Sequence, residues 1–74
     1  MEEGMRKTCI DAATHILTCK RVSCKEVERL FGYHGVWVFQ KLLDERALVP
    51  ILGMYLKNKD EIKIFIQNLR ENEY

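Results

Sequence analysis

The sequence predicts a mainly α-helical fold carrying one small β-hairpin. Three observations carry that expectation. Apolar residues recur at helical spacing in four stretches of the chain. Ser23 and Asn58 each stand three residues ahead of a glutamate, the spacing of a helix-capping box. Between them, ALVPILGMYLK (47–57) has strand-type apolar content broken by Pro50 and Gly53. With 74 residues there is room for a single domain, 1–74, and a chain of this size folds alone only around an efficient core or with a partner.

The elements follow in order. Met1 to Gly4 is read as a loose start. A first helix is expected over 5–20, where Cys9, Ile10, Ala13, Ile16 and Leu17 share one face and Lys20 and Arg21 suit the C-terminal dipole. Ser23 opens a second helix, 23–31, with Glu26 completing the capping box and Val27, Leu30 and Phe31 on one face. Gly32 stops it, and Gly35 reopens the chain into a third helix, 35–46. A short hairpin is expected over 48–57, turning between Pro50 and Gly53. Asn58 with Glu61 caps a last helix, 59–72, which buries Ile62, Phe65, Ile66 and Leu69 and leaves Ile64 on the far side.

Set on a wheel of about 100° per residue, the third helix clusters Val36, Phe39, Leu42, Leu43 and the stem of Arg46 toward the core. Trp37, Lys41 and Asp44 fall opposite, with Val38, Gln40 and Glu45 at the margins. Trp37 is therefore expected to point outward, which is unusual for a large aromatic and often marks a contact.

Helix, helix, turn, helix, hairpin, helix is the order of a winged helix-turn-helix, a fold that usually sets its second reading helix in the DNA major groove. FGYHGVWVFQKLLDERALVP (31–50) also resembles the DNA-reading gamma domain of FtsK-type DNA translocases. That family has an aliphatic-Gly-Tyr turn, a helix ending Leu-acid-Glu-Arg, then a small residue, two aliphatics and a proline. Here Gly32-Tyr33 and Leu43-Asp44-Glu45-Arg46-Ala47-Leu48-Val49, followed by Pro50, stand in those places without a gap. The resemblance covers about 20 of the 74 residues and implies a winged helix. It departs where the family reads bases: His34, Gly35, Val36, Trp37 and Val38 replace polar and basic residues, and valine and tryptophan cannot make bidentate hydrogen bonds to base edges.

Charge points the same way. Residues 5–25 hold Arg6, Lys7, Lys20, Arg21 and Lys25 against Asp11 alone, whereas 23–50 balances four bases with four acids. Any phosphate affinity must come from the basic flank. Lys20, Arg21, Ser23 and Lys25 sit where the start of a helix commonly meets a phosphate, although a solvated, capped helix start would look the same. Three readings of Trp37 stand side by side. It packs on DNA beside Gln40 and Lys41, or anchors a protein interface together with Ile64, or folds back over the wing or the last helix.

Other chemistries find little support. His15, Cys19 and Cys24 could bring three metal ligands together, but no fourth is evident and no C-x-x-C pair exists, so buried thiols are the expectation and no metal or cofactor is assigned. No catalytic constellation is present, so no enzyme is expected. The odd cysteine count and the absence of a signal peptide or membrane span point to a reducing, intracellular setting. The sequence thus reads as a small binder of double-stranded DNA, a transcription regulator or accessory factor that is expected to form a homodimer. The alternative is a winged helix used for protein contact, by self-association or docking on a larger assembly.

Overall fold

The computed structural model describes residues 1–72. The protein is mainly helical: three helices and a two-stranded antiparallel hairpin, in the order α1 Glu3–Thr18, α2 Cys24–Asp44, β1 Leu48–Ile51, β2 Met54–Lys57, α3 Lys59–Arg70.

Helix α1 lies two residues earlier in the chain than the 5–20 expected. Glu3 sits in its first turn, where a carboxylate suits the dipole, and reaches Arg6 at 3.7 Å. At the other end Cys19 turns extended (φ −71°, ψ 155°), so Lys20 lies outside the helix and in solvent. A distant cation secures this terminus. The Lys57 ammonium donates to the carbonyl of Leu17 at 3.3 Å and to that of Cys19, serving two of the carbonyls that a helix end leaves unpaired.

Helix α2 is two helical halves joined at Gly32, whose φ of 66° and ψ of −145° suit only glycine. The expected interruption covered residues 32–34; the observed one is a single residue wide. Tyr33 and His34 are already helical, and Gly35 lies inside the second half. There the backbone of one half packs on the other. A Cβ on Gly35 would stand 2.7 Å from the Val27 carbonyl oxygen and 2.8 Å from Val27 Cγ1. That approach sets the rotation of the second half. Gly35, Val38, Phe39 and Leu42 are buried, at i, i+3, i+4 and i+7, whereas Val36 and Leu43, both expected in the core, are only half-buried.

The end of α2 also differs from expectation. The helix stops at Asp44, and Arg46 adopts a positive φ of 60° with its side chain exposed, so its stem does not reach the core. The amide of Arg46 donates to Leu43 O at 3.1 Å and that of Ala47 to Leu42 O at 2.8 Å. This is a Schellman termination with arginine in the place where glycine is usual, and buried Ala47 and Leu42 supply its apolar contact.

The hairpin pairs Leu48 with Lys57, Val49 with Leu56, Pro50 with Tyr55 and Ile51 with Met54. Its turn is only Leu52–Gly53, both at positive φ (49° and 76°), as tight hairpin turns require. Alternation along an antiparallel ladder makes Pro50–Tyr55 a non-hydrogen-bonded pair, so the missing N–H of Pro50 falls on the outer edge of β1 and costs no ladder bond. On the inner face Tyr55 meets buried Phe39 edge to face, centroids 5.1 Å apart, and the Asn58 amide closes the base on Ala47 O at 2.8 Å.

Helix α3 is capped by Asn58, whose side chain accepts from the Glu61 amide at 3.2 Å, and it ends at Arg70, two residues before the 72 expected, with Asn72 beyond it at a φ of 57°. Its buried face is Ile62, Phe65, Ile66 and Leu69, with Ile64 in solvent. Helix α1 packs on both α2 and α3, and its Ala12 and Ala13 let the helices approach closely at the centre of the core.

Candidate functional site

The basic flank gathers at the start of α2. Ser23 is its N-cap, and the hydroxyl accepts from the Glu26 amide at 3.3 Å, as a cap does. The carboxylate of Glu26 does not return to the cap. It lies 3.7 Å from His15 Nε2, where the start of α2 passes beside α1. Around this capped terminus Lys20, Arg21 and Lys25 are all exposed, with Arg29 one turn beyond. Among the described residues, none of these four cations lies within 4 Å of a carboxylate. The arrangement presents free positive charge beside the positive end of a helix dipole, a surface suited to an anion. Ser23 is used by the fold as a cap; Lys20, Arg21 and Lys25 remain available. Arg29 belongs to the same group, and its spacing from Lys25, four residues along one helix, is the signal that could have found it.

The second half of α2 presents a different surface from the one expected. Trp37 does not stand free. It is half-buried against the core, its ring 6.3 Å from that of fully buried Phe65 and tilted at 43°. Lys41 Nζ rests 5.7 Å from the centre of the same indole. The wheel misplaced Trp37 because it describes one helix, while α3 supplies the ring that covers this side. Tyr33, Gln40 and Asp44 are the exposed side chains, and of these Gln40 alone has the amide that pairs bidentately with a base edge. Ile64 lies on α3, 52% exposed.

A cavity of about 260 Å³ opens beside Trp37, lined by Met1, Met5, Cys9, Tyr33, His34 and Trp37. Burial pushes the Cys9 thiol above its ordinary range. Two of the three candidate metal ligands, His15 and Cys19, have other neighbours. His15 packs edge-on against Phe31 with centroids 5.7 Å apart, and Cys19 Sγ donates to Ile16 O at 3.5 Å. Among the described residues, no three His, Cys, Asp or Glu side chains are grouped to hold a metal ion.

The hairpin carries a feature that the residue pattern alone does not reveal. Only the register shows that Val49, Ile51, Met54 and Leu56 share one face, the one turned away from Tyr55 and the core. Ile51, Met54 and Leu56 are exposed, and Leu52 at the tip is 95% exposed. The one cation in the hairpin, Lys57, is occupied at the end of α1. No described helix is long and apolar enough to cross a membrane.

Compared with protein-family models, with curated proteins and with solved structures, the chain matches none. Its own geometry defines a small helical domain with a hairpin, a cationic helix start and an aliphatic hairpin face.

Proposed function

We propose that the protein binds double-stranded DNA as a winged helix-turn-helix, holding the backbone through the start of α2. The observation that carries this reading is the group of exposed cations at Lys20, Arg21 and Lys25 around a capped helix N-terminus, none of them within 4 Å of a carboxylate among the described residues. In this arrangement the break at Gly32 is the turn, residues 33–44 are the helix presented to the groove, and β1–β2 is the wing. Phosphate contacts would dominate, because Gln40 is the one exposed base-reading side chain on that helix and Asp44 opposes the DNA charge. Such a protein is an accessory or regulatory DNA binder of low sequence discrimination.

A salt series on random duplex DNA tests it. With about three phosphates neutralised, affinity should fall roughly 40-fold between about 50 and 200 mM salt, and Lys20→Gln, Arg21→Gln and Lys25→Gln should each flatten the slope by about one. Absence of binding at the lowest salt would end the DNA reading. The second reading, a winged helix turned to protein contact, is favoured by the aliphatic hairpin, which offers no cation to a DNA backbone.

A further inference from the structure

The outer face of the hairpin is an unpartnered aliphatic surface. Val49–Leu56 and Ile51–Met54 are adjacent cross-strand pairs on it, and no charged side chain interrupts them. Exposures of 43% at Ile51, 56% at Met54 and 54% at Leu56 place roughly 300 Å² of mostly apolar surface on this face, and Leu52, 95% exposed, adds roughly 200 Å² at the tip, together at the upper end of what a monomer shows in one patch. The tip adds a second observation. Leu52 sits at a φ of 49°, a conformation that asparagine or glycine takes far more easily than leucine. A side chain that is costly for its backbone and almost wholly in water contributes nothing to folding the single chain.

From this we infer that the hairpin face is the seat of a symmetric dimer, and that its occupant is the hairpin of a second copy of this chain. Two features select a second copy over another partner. A face without charge meets itself without leaving any ion unpaired, which is what an isologous twofold contact requires. Its area is also sufficient, since two such faces with their tips together cover roughly 1,000 Å², about the size at which a specific interface becomes tenable. Packed face to face and antiparallel, the Leu52 of each copy reaches the Val49–Leu56 pair of the other. The cationic start of α2 takes no part, so the dimer neither needs nor excludes DNA at that surface.

Sedimentation of the purified chain without DNA, over about 1 to 200 μM, tests the inference. The wild type should be dimeric in this range. Leu56→Lys, which sets a charge into the face, should be monomeric throughout. Because a hairpin variant can fail by unfolding, Leu52→Asn is the second arm. Asparagine suits the turn, so this variant should keep the wild-type circular dichroism and thermal midpoint or better them, while its dimer weakens by about tenfold or more. A wild type that stays monomeric at the highest concentration overturns the inference, whether or not it then binds lipid vesicles or another protein. So does a dimer that both substitutions leave intact.

Discussion

Gly35 and Val27 touch through their backbones: a Cβ at position 35 would lie 2.7 Å from the Val27 carbonyl oxygen. The two halves of α2 are held at that contact, and the side chains of the second half are aimed by it. Gly35→Ala should therefore lower stability by about 1–3 kcal/mol, the usual cost of overpacking. Gly32→Ala should fall in a similar range through strain, since its φ is 66° with open space around it. Gly4, where nothing lies within 4 Å, is the control, and its alanine variant should be neutral or slightly stabilising. Urea unfolding midpoints of the three variants check the ordering.

Arg46 ends α2 in a left-handed conformation that glycine adopts without strain. Arg46→Gly should raise stability by about 1 kcal/mol while leaving the helical circular dichroism unchanged. A drop in stability would mean that the arginine side chain does something for the fold beyond occupying the turn.

Trp37 leans on Phe65 at 6.3 Å and should report that environment. Its fluorescence is expected to be blue-shifted in the native protein and to move red on unfolding. Trp37→Ala should cost about 2 kcal/mol, less than a fully buried tryptophan. A double-mutant cycle with Phe65→Leu should give a coupling of about 0.5–1 kcal/mol. Emission that stays put when DNA is added fits phosphate contacts made at Lys20, Arg21 and Lys25.

Cys9 is 1% exposed, whereas Cys19 and Cys24 are half-buried, so a thiol reagent should modify Cys9 last and mainly through unfolding. Its thiol is held above the ordinary range by burial. A raised folded-state value means that the native protein keeps this proton when the unfolded chain has lost it. Its contribution to stability is therefore complete below the unfolded thiol value and is lost as pH rises through the folded one. Thermal midpoints of wild type should decline on the alkaline side more steeply than those of Cys9→Ala.

Much of the framework could be read from residues. Ser23 and Asn58 announced their helices because a cap is a local event between neighbours in sequence. The buried stripe of α3 was legible because Ile62, Phe65, Ile66 and Leu69 obey a single period. What escaped were effects of one element on another. Trp37 could be placed only with α3 beside it. Gly35 reads in sequence as the opening of a helix, and its close approach to Val27 shows only in three dimensions; the end of α2 carries no glycine to mark it. The aliphatic face of the hairpin was hidden for the same reason, since a pairing register decides which side chains share a side.

Pro50 adds one more consequence. An apolar hairpin with open edges is a template onto which further strands can add without limit. Proline on the outer edge of β1 has no N–H to give an incoming strand, so a strand adding on that side would lack a ladder bond there. Strand addition on the β1 side is thereby disfavoured, and replacing Pro50 would restore that edge as a template.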